Sequence, residues 1–133
     1  GAAGSDGVSP NSPGAQAPGG IGSFIDNNFI GPTAPSYGEA GPVSNTRYFA
    51  GGGAGGGNGS PPSGGGIGGG GNGGGSSSSP PVPTTERTGE AGTANTGGGG
   101  GGAGEQHGPS GGPCRNGGAG GSGIVMIRYK YQN

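Results

Sequence analysis

The sequence predicts an irregular, mostly coil fold: a bundle of polyglycine II helices with one or two short β-strands and no α-helix. Glycine supplies 44 and proline 13 of the 133 residues, which makes an α-helix too costly to form. Hydrophobic residues make up only 23% of the chain, too few to offset chain entropy with a conventional core. The glycines are also concentrated in runs, and the densest stretch is residues 51–75.

The glycine runs allow two interpretations. Gly-rich composition is typical of flexible linkers, and a disordered linker is one of them. The other is a set of polyglycine II helices, which have three residues per turn and backbone N–H and C=O groups that point outward. Packed side by side, such helices can hydrogen-bond to one another and so pair their buried backbone groups. Collagen is excluded because residues 51–57 break the Gly-X-Y repeat. The embedded aromatic residues favour the folded interpretation, in which residues 51–75 form a core made of backbone.

Glycine spacing predicts where each run lies in such a bundle. A helix with neighbours on all sides has no room for Cβ atoms, whereas a helix at the edge needs glycine on only part of its surface. We therefore expect nearly saturated runs inside and runs with glycine at every third residue at the edge. The inside runs are residues 51–57, 64–75, 97–104 and 117–123, and the edge runs are residues 1–7, 38–41 and 89–92.

One run gives a mutational test. Residues 64–75, as a single helix, would span about 37 Å. Alanine at Gly69 or Gly70 should disrupt this helix far more than alanine at Ser77 or Ser78, which lie in a serine- and proline-rich loop.

Two stretches predict β-strands. Residues 46–50 (TRYFA) combine β-branched and aromatic side chains and lead directly into the first glycine run. Residues 124–131 (IVMIRYKY) begin apolar on both faces and then alternate, as expected for a strand buried at its start. The length of the chain predicts one domain over residues 1–133, which we expect to be the C-terminal part of a longer protein.

Composition also argues against several classes of function. A net charge of −1 without a basic patch argues against nucleic acid as a partner. The longest apolar run, residues 124–127, is far too short to span a membrane. Cys114 is the only cysteine, so no intrachain disulfide can form. His107 near Glu105 and Ser110 lacks the constellation that hydrolysis needs, and too few ligands surround it for zinc. We expect no enzyme, cofactor or metal site.

Particular motifs carry a family resemblance. GTANTGGGGGGAG (residues 92–104) followed by GGAGGSGIVMIRY (residues 117–129) resembles the glycine-rich domain near the C-termini of tailed-phage tail and fibre proteins. TRYFAGGGAGGG (residues 46–57) and GAAGSDGVSP (residues 1–10) are similar to earlier portions of that domain. The resemblance implies a virion structural protein at a fibre or its tip. There, polyglycine II helices stack into a sandwich and the intervening loops attach to the host surface.

The expected contact surfaces follow from this resemblance. They are the loops at residues 23–37, 76–88 and 105–116, and the expected partner is a host cell-surface glycan or outer-membrane protein. We also expect self-association, as a homotrimer or as a monomeric tip on a fibre. Aromatic rings can stack on sugars, and arginines can bind acidic sugars or merely cap backbone carbonyls. The candidate surface-binding residues are Phe24, Phe29, Tyr37, Arg87, His107 and Arg115.

A second function remains open from the sequence. The same array of hydrogen-bonded polyglycine II helices, a backbone lattice, could run between chains. The protein would then be an extracellular filament or matrix subunit.

Overall fold

The computed structural model describes residues 17–31, 36–57, 62–75, 88–104 and 115–131. Most of these residues are coil, with three short antiparallel strands and no helix of seven or more residues. The predicted fold class is therefore confirmed. The predicted edge run at residues 1–7 lies outside the described residues.

A small sheet closes one end of the molecule. Its strands are β1 (Ser23–Asp26), β2 (Glu39–Ala40) and β3 (Thr46–Phe49), in the order β1-β3-β2, and both pairings are antiparallel. The predicted strand at residues 46–50 corresponds to β3. Thr46, Tyr48 and Phe49 are its buried residues, and the Tyr48 ring packs against the Phe24 ring of β1 at a centroid distance of 5.8 Å. Residues 38–41, expected at the edge of the bundle, belong to this sheet instead.

A single helical turn of four residues follows β1 and leaves the mostly coil fold class unchanged. The turn, α1, spans Asn27–Ile30 and begins after Asp26, whose carboxylate accepts a hydrogen bond from the Asn28 N–H at 2.7 Å. This side-chain cap satisfies an amide that would otherwise lack a partner at the start of the helix. Gly31 ends the turn with a positive φ of 75°.

The predicted strand at residues 124–131 is wrong. None of the described residues from 115 to 131 belongs to a strand, and Val125 and Ile127 are 86% and 84% exposed. A strand is stabilised by packing against neighbouring strands, and residues 124–131 have no strand beside them among the described residues. Their sequence has the composition of a strand without the pairing partner that a strand requires.

Within the described residues, the glycine-rich part of the chain forms seven extended segments that lie side by side as a backbone lattice. Each is connected to its neighbours by backbone hydrogen bonds between 2.7 and 3.1 Å long. The segments are numbered one to seven and span residues 17–22, 50–57, 63–67, 69–75, 88–93, 96–104 and 116–122.

The hydrogen bonds between segments repeat every three residues, as expected for polyglycine II helices. Segments two, four and six bond one another in a closed triangle. Ala54 N–H donates to Gly71 O at 3.0 Å, Gly74 N–H donates to Gly102 O at 2.8 Å, and Gly102 N–H donates back to Ala54 O at 2.8 Å. The same three links recur three residues earlier in each segment. Each segment therefore bonds to a given neighbour through one face of its backbone.

The pattern of bonded pairs arranges the segments in two layers. Segments one, two, six and seven, in that order, form the four-segment layer, and segments three, four and five form the three-segment layer. Segments two, four and six run in one direction and the other four run in the opposite direction. Each of these three central segments bonds to four neighbours, whereas segments one and seven each bond to only two.

This arrangement confirms part of the predicted placement and corrects the rest. Residues 51–57 and 97–104 lie inside as expected, and residues 89–92 lie at the end of their layer as expected. Residues 117–123 were expected inside but lie at the edge. Residues 64–75 do not form one helix, because a turn at Gly68 and Gly69, with φ of 108° and 87°, folds them into antiparallel segments three and four.

The absence of side chains is what allows the segments to pack. A Cβ built on Gly70 would lie less than 2.5 Å from Gly52 O, and one on Gly101 would lie less than 2.5 Å from Asn72 O. Real Cβ atoms essentially never come closer than 3.0 Å. Ala54, only 2% exposed, shows that a methyl group fits where the lattice leaves space for it. The core is therefore mainly backbone, joined to the small side-chain core of Tyr48 and Phe49.

Candidate functional site

The lattice has two chemically different ends. At one end, which we call the sheet end, Ala50 N–H donates to Thr96 O and Thr96 N–H donates to Ser122 O. The sheet and residues 123–131 therefore lie there. At the other end, which we call the loop end, Gly57 N–H donates to Gly74 O and Gly89 N–H donates to Asn116 O. The described residues that border the connections 58–61, 76–87 and 105–114 therefore meet at the loop end.

Two side chains fix the sheet end to the lattice. The Glu39 carboxylate on β2 accepts hydrogen bonds from the N–H groups of Gly68 and Gly69, both at 2.8 Å. Thr96, only 3% exposed, donates its hydroxyl hydrogen to Thr93 O and accepts from the Gly98 N–H at 3.0 Å. The Glu39 carboxylate thus links the sheet to the turn at Gly68 and Gly69, whereas the Thr96 side chain fixes the turn at residues 93–98.

A groove of about 350 Å³, with polar and apolar surface in about equal parts, lies at the sheet end. It is lined by side chains from three parts of the chain: Phe29, Ile30, Tyr37, Ile124, Val125, Met126, Ile127 and Arg128.

Arginines hold the walls of this groove in place. Arg47 on β3 donates from Nε to Tyr37 O at 2.8 Å and from Nη2 to Gly38 O. Arg128 donates from Nη1 to Asn28 O at 2.7 Å, which ties residues 124–128 to α1. Both arginines therefore act as carbonyl caps, one of the two roles that the sequence left open for arginine.

The structure brings together only some of the predicted surface-binding residues. Phe29 and Tyr37 line the same groove. Phe24 is at the same end but outside the groove, with its ring against Tyr48 and 62% exposed. Arg115 borders the loop end, and its Nε is buried without a hydrogen-bond partner among the residues that the structure describes.

The remaining predicted positions lie outside the described residues. They are Arg87 and His107, together with Glu105, Cys114 and most of the two loops at residues 76–88 and 105–116.

The sequence did not identify residues 124–128 as part of a groove. Their apolar side chains were assigned to a buried strand, yet the same side chains line the groove next to Phe29. The available signal was the absence of any second strong strand sequence nearby to pair with them. The sequence left acidic sugars open as ligands for the arginines, and the position of Arg128 in the lining of the groove is compatible with that role.

The groove offers hydrophobic surface, two aromatic rings and one guanidinium group. Such a surface suits ligands with an apolar or sugar face, because aromatic rings contribute large contact areas at low entropic cost. Within the described ranges, no group of three or more His, Cys, Asp or Glu side chains is placed to hold a metal ion. No helix among the residues that the structure describes is long and apolar enough to cross a membrane.

Comparison with known proteins gives one match. A family model described as a glycine-rich domain matches residues 1–130, nearly the whole chain. No curated protein and no solved structure matches the chain.

Proposed function

The chain belongs to the glycine-rich domain family, and from that premise we propose that it is a non-enzymatic structural module that presents recognition surfaces. In this proposal the lattice is a spacer and the ends of the molecule make the contacts. A tail-fibre or fibre-tip module of a virion, which attaches to a host surface, is the setting that we favour.

The observation that carries the proposal is that the backbone forms the lattice, whereas exposed side chains gather at one end of the molecule. The lattice pairs its backbone groups internally, and segments two, four and six each bond to four neighbours. The large exposed hydrophobic side chains, by contrast, are concentrated in the sheet-end region and in residues 123–131. Exposed apolar patches of this kind mark interaction sites in soluble proteins.

The ligand class follows from the chemistry of the groove. Phe29 is 45% exposed and lies with Tyr37 and Arg128 around the same space. The aromatic rings can stack on the apolar face of a sugar, and the arginine can bind an acidic group on it. A host cell-surface glycan is therefore the favoured ligand, and an outer-membrane protein is the alternative.

Binding of the fluorescently labelled chain to purified lipopolysaccharide and to outer-membrane vesicles tests this function. Phe29→Ala combined with Tyr37→Ala should weaken binding at least tenfold, the effect of removing about 1.4 kcal/mol of contact. Tyr131→Ala is the matched control, because Tyr131 is 79% exposed but does not line the groove. Failure to bind either surface, or equal loss in the control, would refute the proposal.

A filament or matrix subunit is the second candidate function. It is favoured by backbone N–H groups on the lattice that have no partner within the described part of the chain, such as those of Gly53 and Gly56. Open-ended assembly of the purified chain, seen as fibres by electron microscopy, would support this function over attachment.

A further inference from the structure

The outer face of the four-segment layer differs from every other surface of the lattice. It is the side of segments two, six and seven that points away from the three-segment layer. Cβ atoms built on the glycines show which residues lie on this face. A Cβ on Gly55 or on Gly120 would approach a lateral neighbour within the same layer, at 3.6 Å in both cases. Neither position contacts the three-segment layer.

This face carries unpaired backbone donors at a spacing of three residues. Segment two donates through Ala54 to segment four and through Gly55 to segment one. The N–H groups of Gly53 and Gly56 belong to its remaining third and have no acceptor among the residues that the structure describes. The Gly100 N–H of segment six is likewise unpaired. By the three-fold symmetry of the helix, these groups point outward from the layer.

Glycine at Gly55 and Gly120 is not required by the fold itself. A methyl group there would be in ordinary van der Waals contact at 3.6 Å, and neither residue has a positive φ. Most glycines inside the lattice, such as Gly70 and Gly101, would by contrast clash within 2.5 Å. Something outside the described chain would explain why this face is kept free of side chains.

The other surfaces of the lattice do carry side chains. The outer face of the three-segment layer presents Asn72 and Glu90, joined by a hydrogen bond of 2.7 Å. At the edge formed by segment one, Ile21 is 47% exposed. At the edge formed by segment seven, Asn116 and Ala119 are exposed. Side chains at these places prevent the close approach that another polyglycine helix would need.

We propose that the outer face of the four-segment layer binds the same face of a second copy, giving a closed dimer with four layers. Only a surface without side chains can approach within hydrogen-bonding distance of this one, and the described part of the chain has one such surface. The two copies would be related by a two-fold axis perpendicular to the segments. That axis makes facing segments antiparallel, so that the N–H groups of each copy meet the carbonyls of the other.

The geometry also explains why assembly would stop at two copies. A two-fold contact uses the same patch on both partners and leaves no copy of that patch free. The edges and the opposite face carry side chains, so a dimer formed through this face offers no second glycine surface for further growth. Filaments would instead support the second candidate function and overturn this dimer. This inference does not depend on what the two ends of the molecule bind.

The size of the face sets the expected affinity. Seven residues per segment span about 22 Å, and three segments at a spacing of about 4.8 Å give roughly 300 Å² per copy. Stable dimers bury about 800 Å² per partner, so a weak dimer with Kd of about 10 μM to 1 mM is expected.

Sedimentation velocity over that concentration range tests the proposal. The unmodified chain should shift from monomer to dimer, whereas the double variant Gly55→Ala, Gly120→Ala should stay monomeric. Gly64→Ala is the matched control and should dimerise normally. Its methyl group also has room, 3.9 Å from Asn72 Oδ1, but lies on the opposite face.

Amide exchange supplies a readout that does not rely on the variants. In the unmodified chain, the amides of Gly53 and Gly56 should become protected as the concentration rises. A chain that stays monomeric, or a double variant that folds and dimerises like the unmodified chain, would overturn the proposal. So would polymers larger than a dimer, or protection of these two amides at every concentration, which would mean that the chain covers its own face.

Discussion

Alanine at Gly70 should destabilise the lattice strongly, because the added methyl group would enter an existing hydrogen bond. The Gly66 N–H donates to Gly52 O at 2.9 Å. A Cβ on Gly70 would lie 2.7 Å from that nitrogen and less than 2.5 Å from that oxygen. Both atoms belong to the backbone of a packed segment, so no flexible side chain can move aside.

The magnitude follows from two contributions. The neighbouring segments must retreat by roughly 1 Å to restore van der Waals contact, and overpacking of this kind costs about 1–3 kcal/mol. Loss of the bond between Gly66 and Gly52 leaves a donor and an acceptor unpaired, which adds about 1–3 kcal/mol. The expected loss is thus about 2–6 kcal/mol, a large part of the stability of a small domain.

Gly64→Ala provides the matched comparison and should change the free energy of unfolding in the opposite direction. Its methyl group has space, and the residue does not have a positive φ. It should therefore stabilise the chain by about 0.4–1 kcal/mol, because alanine restricts the unfolded state more than glycine does. Urea unfolding, followed by the near-ultraviolet circular dichroism of buried Tyr48, measures both variants. Equal tolerance of alanine at the two positions would refute the backbone core.

Three further predictions concern the side chains around the lattice. Thr96→Val keeps the shape of a buried residue but leaves the Gly98 N–H unpaired, so it should cost about 1–3 kcal/mol in urea unfolding. Glu39→Ala should accelerate amide exchange at Gly68, whereas Glu39→Gln, which retains an acceptor oxygen, should accelerate it less; unchanged exchange in Glu39→Ala would show that the carboxylate is not the acceptor. Ile127→Ser should change the unfolding free energy by less than about 0.5 kcal/mol, because this side chain is 84% exposed, and a larger loss would indicate a buried strand after all.

The sequence was informative where glycine is required by close contact. Saturation of residues 51–57 and 97–104 reflects their four neighbours each, because most directions around these helices are occupied by backbone. The aromatic entry at residues 46–50 was recognised for a similar reason. Strand propensity and burial act together there, since Tyr48 and Phe49 are both buried.

The sequence was misleading where glycine carries no local information. Residues 64–75 contain almost no side chains, so nothing in their composition distinguished the turn at Gly68 and Gly69 from the helices on either side. Residues 117–123 were placed inside because they are rich in glycine, yet Gly117 and Gly120 face outward from an edge segment. In the sequence, a glycine on an outward face cannot be distinguished from a glycine that close packing in the core requires.

The candidate site depended on contacts that no local pattern encodes. Phe29 and Tyr37 were identified individually as exposed aromatics. Their partners at residues 124–128 come from about 90 positions further along the chain, and the bond from Arg128 to Asn28 O spans 100 residues. Such pairing follows from the order of segments in the layers, which glycine runs do not specify.

Site-resolved amide hydrogen exchange tests the central claim, a core built from backbone, most directly. At a concentration where the chain is monomeric, the N–H groups of Gly71, Gly74, Gly99 and Gly102 should exchange slowly, because each donates to a neighbouring segment. The N–H groups of Val125 and Ile127, outside the lattice and in no strand, should exchange rapidly. Rapid exchange at the four glycine amides, at rates equal to those of Val125 and Ile127, would contradict the account and return the glycine runs to flexible linkers.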